Sequence, residues 1–243
     1  MLLARNADRG AAAVSDLRRT GGQVEFLHAD LADLASVRQA AAAFLDRHPR
    51  PHLLVNNAAV YLARREVTSD GLERMFATNH LGPFLLTHLL LDALRAAGAS
   101  RILNITAPST VHPDFDDLQS VRKFRSLNAF GATKMANLLF TFALARRLQG
   151  SGVTANAVHP GVARTGLMRQ APAPMRWLTG LMGSSADRAV EPVVRVATEA
   201  SFADRNGRFF HKDVEIDPPA FALDVEAQER LWRDSLRLAG LPR

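Results

Sequence analysis

Residues 52–56 read His-Leu-Leu-Val-Asn and residues 101–106 read Arg-Ile-Leu-Asn-Ile-Thr, with the helical segment Pro83–Ala97 between them. Short apolar runs that end in polar residues are typical of buried strands. Strands that alternate with longer helical segments favour a mostly parallel sheet with helices on both faces. This stretch therefore predicts an α/β fold built on a doubly wound sheet.

The same alternation extends in both directions from this stretch. The predicted strands are Met1–Arg5, Val24–His28, His52–Asn56, Arg101–Thr106, Val153–Val158 and Arg208–His211. The predicted helices are Asp8–Thr20, Asp33–His48, Ser69–Asn79, Pro83–Ala97, Asn128–Gln149, Asp187–Ala200 and Asp224–Leu238. Residues 171–185 show weak periodicity and contain Pro, Gly, Met and Trp, and we interpret them as a mobile apolar flap. We therefore predict one domain over residues 1–243.

The composition is that of a globular protein with an excess of arginine. The net charge is +6, but the arginines are scattered and form no patch interleaved with aromatic residues, so we expect no nucleic-acid partner. Cysteine is absent, and no His, Asp or Glu spacing indicates a metal site. The longest apolar stretch falls short of the roughly 20 residues of a membrane span. We expect a cytoplasmic protein that does not enter a membrane.

The ends of the predicted strands indicate where a site should lie. In an open parallel sheet, ligands bind beyond the carboxyl ends of the strands, where the strand order reverses. The residues at these ends are Arg5, Asp30, Asn56-Asn57, Thr106-Ala107 and His159-Pro160-Gly161. We therefore expect them to line one cleft.

Five ordered motifs lie at these strand ends or on the helices beside them. They read His28-Ala29-Asp30-Leu31, Asn56-Asn57-Ala58-Ala59, Asn79-His80-Leu81-Gly82, Asn128-Ala129-Phe130-Gly131-Ala132-Thr133-Lys134-Met135-Ala136-Asn137, and His159-Pro160-Gly161-Val162 with Thr165. Together they resemble the short-chain dehydrogenase/reductase family, particularly its retinol dehydrogenase-like branch. The resemblance runs from Met1 to at least Gly166 and implies a Rossmann-like fold.

The resemblance also implies a role for individual residues. Asn79 corresponds to the Asn of the family's catalytic tetrad, and Lys134 to the Lys that assists the catalytic Tyr. Asp30 corresponds to the residue that contacts adenine. The implied cofactor-binding positions, which we interpret as vestigial, are Arg5, Asp30, Asn57, Pro160, Gly161 and Thr165.

Three departures from the family's pattern shape the functional prediction. The family's first strand, Gly-rich turn and first helix, which bind a dinucleotide's pyrophosphate, have no counterpart before Met1. The family's Tyr-x-x-x-Lys reads Phe130 to Lys134, and a Phe has no hydroxyl for proton transfer. Ala107 occupies the position of the catalytic Ser, with Ser109 as the nearest substitute. The sequence therefore predicts a sheet without its first strand and an impaired hydride-transfer site.

A non-redox role in the inherited pocket is the first functional hypothesis. The pocket would bind a hydrophobic small molecule without a cofactor and support proton transfer, dehydration or cyclisation. Lys134 would supply a fixed positive charge for a developing oxyanion, and Asn79 an amide that positions substrate or water. Ser109 is the third candidate catalytic residue. The alternative for Lys134 is a stem packed on its helix with the charge in solvent.

Two other hypotheses stay open. One is an NAD- or NADP-dependent oxidoreductase acting on a lipophilic alcohol or carbonyl compound, with a start upstream. The other is a scaffold without catalytic activity. In any catalytic case the candidate acid/base groups are His112, His159, Asp114 and Asp116.

The missing strand and the apolar helices lead to two expectations about assembly. Because unpaired strand edges leave backbone groups without partners, we expect the sheet to close up or a partner chain to fill the gap. We also expect a homodimer through the helices after Asn79 and around Phe130–Lys134. The alternative is that Phe140, Phe142 and Leu144 face the chain's own core.

Overall fold

The structure is a computed structural model that describes residues 1–164, 166–171, 173, 177 and 183–242. Five strands form a sheet of order β3-β4-β5-β6-β7, and β1 and β2 pair separately. All pairings are parallel except that of β6 with β7. The strands are β1 Leu2–Ala4, β2 Phe26–His28, β3 Leu53–Asn56, β4 Ser100–Ile105, β5 Val153–His159, β6 Phe209–His211 and β7 Val214–Ile216. The predicted α/β, Rossmann-like architecture is confirmed.

The helices alternate with the strands as predicted. The α-helices are α1 Ala7–Arg19, α2 Leu34–Leu45, α3 Arg74–Phe76, α4 Gly82–Ala96, α5 Ser126–Arg147, α6 Ala186–Thr198 and α7 Val225–Leu238. A π-helical segment, Ala77–Leu81, joins α3 to α4, and short 3₁₀ turns cover Gly166–Gln170, Ala200–Phe202 and Ala220–Leu223. Among the described helices, none combines the length and apolar character needed to cross a bilayer.

The helix predicted over Ser69–Asn79 begins later, at Arg74. Glu73 sets this start because its carboxylate accepts hydrogen bonds from the amides of Met75 (3.0 Å) and Phe76 (2.7 Å). The Glu73 side chain is buried, and burial raises its pKa. Periodicity alone does not distinguish an acidic N-cap at Glu73 from an acidic residue inside a helix.

The strand β7 is absent from the predicted elements. It follows β6 through a tight turn in which Lys212 adopts a left-handed conformation with φ of 59°. Tight hairpins are normally signalled by Gly or Asn at such a position. The turn at Lys212 carries neither, so the sequence gives no hairpin signal.

The sheet is split between β1 and β3. Across the described residues β1 pairs with β2 alone and β3 with β4 alone, so the expectation that the sheet closes up is wrong. Helices α2 and α4 pack against each other and share one apolar cluster, which includes Val37 and Phe84. This helical layer holds the two sheets without strand pairing between them. A partner chain in the gap stays a prediction.

Candidate functional site

The carboxyl ends of β3, β4 and β5 lie side by side, as the parallel register requires. Asn56 is paired with Asn104, and Ile105 with Val158. Residues Asn57, Ala107 and His159 therefore emerge at one edge of the sheet. This edge is the predicted cleft.

A ladder of buried polar side chains supports the sheet beneath the cleft. The Asn56 side-chain amide donates to Asn104 Oδ1 (2.8 Å) and to Thr87 Oγ1 (3.0 Å). The Asn104 amide in turn donates to Thr141 Oγ1 at 2.9 Å. Buried amides are costly unless they are paired, and these are paired with one another. Asn56 and Asn104 are structural rather than ligand-binding residues.

Asn79 fixes a loop rather than facing a ligand. It lies in the π-helical segment and is 1% exposed. Its Oδ1 accepts from the Val60 amide (2.7 Å), and its Nδ2 donates to the Val60 carbonyl (3.0 Å) and to Thr133 Oγ1 (3.1 Å). Both polar atoms of the Asn79 side chain, Oδ1 and Nδ2, are therefore engaged in hydrogen bonds within the protein. Asn79 is a positioning residue that ties loop 57–63 to α5.

Phe130 and Lys134 lie on one face of α5, as their spacing predicts. The Lys134 Nζ is 5.2 Å from the centroid of the Phe130 ring, the geometry of a cation–π contact. Among the described residues, no carboxylate or hydrogen-bond acceptor pairs with this ammonium. Within the described part of the chain, the ammonium therefore lies against an aromatic ring rather than against an anion.

The Lys134 side chain is buried rather than extended into solvent. It is 7% exposed, and burial lowers its pKa from 10.5 to about 8. At neutral pH the ammonium is therefore still largely protonated, in a medium of low dielectric constant. Of the two interpretations of Lys134, the solvent-exposed one is wrong.

The predicted serine substitute is engaged elsewhere. Ser109 Oγ accepts a hydrogen bond from the Val111 amide at 3.1 Å. It also lies so close to Gly131 that a Cβ there would be 3.2 Å from it. A side chain at position 131 would therefore crowd Ser109 and Val111, and this loop would have to shift by a few tenths of an ångström. Ala107 lies where the strand ends and offers no polar atom.

Tyr61 is a site residue that sequence reasoning missed. It is the chain's only tyrosine, and its ring packs edge-on against Phe130 with centroids 5.6 Å apart. Its hydroxyl donates to Ser126 Oγ at 2.9 Å. The available signal was the position of this one tyrosine, two residues after the Asn-Asn-Ala-Ala motif.

His159 and His211 meet at the ends of β5 and β6. Their rings stack with centroids 5.1 Å apart, and the buried His159 Nδ1 has no hydrogen-bond partner within the described ranges. Burial, followed by the charges of His211 and Lys134, lowers the pKa of His159. His159 is therefore a neutral imidazole at the cleft, next to Lys134.

The other predicted acid/base candidates lie in structural contacts. His112 stacks on Phe221 with centroids 3.7 Å apart. Asp114 pairs with Arg122 at 3.1 Å, and Asp116 pairs with Arg230. These interactions place all three groups outside the cleft around Lys134.

The predicted dinucleotide-binding residues differ in their contacts and exposure. Asp30 Oδ1 accepts from the Ala32 amide at 2.9 Å, so the carboxylate forms the turn itself. Arg5 and Asn57 are exposed. Gly161 adopts a φ of 84°, which allows the loop after β5 to turn away from the sheet. Thr165 lies outside the described residues.

The apolar flap is described at few positions. Met175, Leu178, Leu181 and Met182, which were predicted to form its apolar surface, lie outside the described residues. Trp177 is described and is 70% exposed. The 3₁₀ turn just before the flap contacts loop 57–63, because Gln170 Oε1 accepts from the Ala63 amide at 3.2 Å.

A cavity of about 330 Å³ lies on a neighbouring face of α5. Charged side chains line much of it, including Asp114, Arg122 and Lys123. Phe130 and Lys134 are not among its lining residues. Because it contains neither the cation nor the apolar surface of the cleft, we place the functional site at the strand ends. Among the described residues no group of three or more His, Asp or Glu side chains could hold a metal ion.

The chain is similar to known proteins in both sequence and structure. The model of the family described as short chain dehydrogenase matches residues 1–175. Human retinol dehydrogenase 13 is 40% identical over 99% of this chain and 77% of its own length. The crystal structure of an uncharacterised Mycobacterium paratuberculosis protein is 30% identical, with a TM-score of 0.77 over 98% of this chain and 83% of that one. A blue fluorescent protein from a metagenomic library, solved with NADPH, is 28% identical, with a TM-score of 0.64 over 86% and 83% of the two chains.

Proposed function

The chain belongs to the short-chain dehydrogenase family, and from this premise we propose that it binds a lipophilic carbonyl or hydroxyl compound and acts on it by proton transfer rather than hydride transfer. Dehydration and cyclisation are reactions of this class. The observation that carries the proposal is the buried Lys134 ammonium, which lies against the Phe130 ring without a counter-ion among the described residues.

A buried cation of this kind favours oxygen atoms that gain negative charge. Removing a charge from water is costly, and in the described part of the chain the Phe130 ring offsets that cost only in part and no counter-ion does so. A ligand oxygen would offset it, and more strongly as an enolate or alkoxide than as a neutral carbonyl. Phe130 supplies an apolar surface for the ligand beside the charge. The pair therefore suits a lipophilic molecule with one oxygen at Lys134.

The family's hydride route lacks its proton donor here. Phe130 and Ala107 replace the two hydroxyl groups that the resemblance places in the cleft. Loss of a positioned general acid costs a rate factor of about 10² to 10⁴. The neutral His159 imidazole, or a water molecule, remains as an acceptor for a substrate proton.

The described residues do not fit the pyrophosphate of a dinucleotide. The first turn of α1, which follows β1, has its Arg9 amide capped by Asn6 Oδ1 and carries Asp8. The first turn of α2 is capped by the Asp33 carboxylate, which accepts from Ala35 and Ser36. A phosphate at either helix start would lie beside a carboxylate, Asp8 in α1 or Asp33 in α2, which disfavours a second negative charge. We therefore assign no reaction step to a dinucleotide.

A second candidate is an NAD- or NADP-dependent oxidoreductase of lipophilic alcohols or carbonyl compounds. It is favoured by the name of the retinol dehydrogenase relative and by the NADPH in a structural neighbour. Lys134 and Asn79 also stand at the family's positions. None of these observations supplies the hydroxyl group that Phe130 lacks.

Hydrogen exchange into a ketone separates the two candidates. Undecan-2-one in deuterated buffer should lose hydrogen next to its carbonyl faster with the protein than without it. The C–H bond breaks, its electron pair forms an enolate held by Lys134, and a deuteron from solvent replaces the proton. Lys134→Met should abolish this exchange, whereas Lys123→Met, a change of an exposed lysine, should not. No exchange, together with NADPH-dependent formation of undecan-2-ol, would favour the oxidoreductase.

A further inference from the structure

Tyr61 and Ser126 form a polar pair at the far end of the Phe130 surface. Ser126, Phe130 and Lys134 are four residues apart in succession, so they lie in one row along α5. The Tyr61 ring contacts Phe130, and its hydroxyl donates to Ser126 Oγ at 2.9 Å. The row therefore has a cation at one end, an aromatic ring in the middle and a hydroxyl pair at the other end.

The position of Tyr61 is fixed by the protein. Asn79 clamps both backbone groups of the preceding residue, Val60, at 2.7 and 3.0 Å. The following residue, Leu62, donates its amide to Met75 Sδ at 3.3 Å. Tyr61 itself is 3% exposed, so its ring has little freedom to move. A hydroxyl held in this way is preorganised to meet a ligand.

The pair is incompletely satisfied by the protein. A phenol and a serine hydroxyl can together make several hydrogen bonds, and one joins them to each other. Ser126 is half-buried on the first turn of α5, so this end of the row is open to solvent. A ligand would therefore reach the pair from the side of the half-buried Ser126, whereas Tyr61 itself is buried.

We propose that Tyr61 and Ser126 bind a second oxygen of the ligand, so that the natural ligand is a lipophile with oxygen functions at two ends. Eight residues of helix between Ser126 and Lys134 correspond to about 12 Å. An apolar body of that length lies over Phe130, with one oxygen at Lys134 and the other at the hydroxyl pair. This inference rests on the proposed function and names the substrate class of the same site.

Two probes of equal size test the inference. The first is 10-hydroxydecan-2-one. Standard carbon–carbon bond lengths place its ketone and its hydroxyl about 11 Å apart when the chain is extended. The second, undecan-2-one, replaces that hydroxyl by a methyl group. Tyr61→Phe keeps the ring against Phe130 and removes only the donor. It should weaken binding of the hydroxyketone about five- to tenfold, the worth of one hydrogen bond, and leave undecan-2-one unchanged.

Other variants separate failure of this inference from failure of the proposed function. Lys134→Met should weaken both probes, because both carry the ketone. If it does so while Tyr61→Phe affects neither probe, or both equally, the second anchor is refuted and the proposed function stands. If neither probe binds the unaltered protein, both proposals are refuted. With isotope-labelled tyrosine the protein gives one tyrosine ring signal, which should shift with the hydroxyketone and not with undecan-2-one.

Discussion

At the scale of single residues, Lys134 lies buried against the Phe130 ring on one face of α5. The spacing of Phe130 and Lys134 predicted a shared helical face, and the structure has it. The burial of Lys134 could not be read from the sequence, because it depends on loops from three strand ends. The role of Asn79 was also hidden, since its partner Val60 is distant in sequence.

Lys134→Met should make the protein more stable at pH 7. Burial lowers the pKa of Lys134 from 10.5 to about 8. At pH 7 the ammonium is charged in both states, but it is removed from water only in the folded state. Removing it should raise the free energy of unfolding by roughly 1–3 kcal/mol. The unaltered protein should itself gain stability as pH rises from about 8 towards 10.5. Urea titrations at pH 7 and pH 10 measure both effects, and a destabilised variant would contradict the unpaired charge.

His80 should make stability fall in mild acid. It is fully buried between Ser235 and Asn137, and burial lowers its pKa from 6.5 to about 4. Between pH 6.5 and about pH 4, His80 is protonated in the unfolded chain and neutral in the folded chain. The unfolding free energy should therefore decrease by about 3 kcal/mol as pH falls from 7 to 4. His80→Gln should flatten this part of the profile, and an equally steep profile would show that another group is responsible.

At the scale of elements, six strands and seven helical segments followed from apolar periodicity and turn residues. The predicted starts of two helices, at Asp33 and Asp224, agree with the structure, in which each of these side chains caps its helix. The errors lie where a local signal is absent. Glu73 caps α3 from inside a helical pattern, and β7 follows a turn without Gly or Asn. The π-helical segment that positions Asn79 has no periodicity of its own.

The Asn79 clamp should control the order of loop 57–63. Asn79→Ala would leave the amide and carbonyl of Val60 without partners, at a cost of about 1–3 kcal/mol for buried groups. The Val60 amide should then exchange with solvent faster, by roughly one to two orders of magnitude. Asn137→Ala is a suitable comparison, because its amide bonds the Asn79 carbonyl and not the loop. Unchanged exchange at Val60 in Asn79→Ala would remove Asn79 from its positioning role.

At the scale of the whole molecule, the split sheet leaves two strand edges unpaired. Leu53 and Val55 of β3 are 41% and 38% exposed, unusual values for a strand inside an α/β fold. The predicted dimer through α4 and α5 loses part of its basis, because Phe140, Phe142 and Leu144 are buried in the chain's own core. Dimerisation stays a prediction, and the sequence could not show which surface remains open.

The open edge of β3 should cause self-association. Unpaired backbone groups with apolar side chains form a template for another strand. Val55→Lys should lower the sedimenting mass at high protein concentration, because a charge on an edge disfavours pairing. Val121→Lys, at an exposed loop position, should not. A monomer at all concentrations would show that the gap needs no partner.

The central claim is that this member of the short-chain dehydrogenase family works without hydride transfer. The direct measurement is transfer of deuterium from NADPH, labelled at its hydride position, to retinal, followed by mass spectrometry of the retinol formed. We predict no labelled retinol above the protein-free control for the unaltered protein, because Phe130 offers no hydroxyl for the proton transfer that accompanies hydride transfer. Labelled retinol that forms with the unaltered protein and disappears in Lys134→Met would contradict the claim.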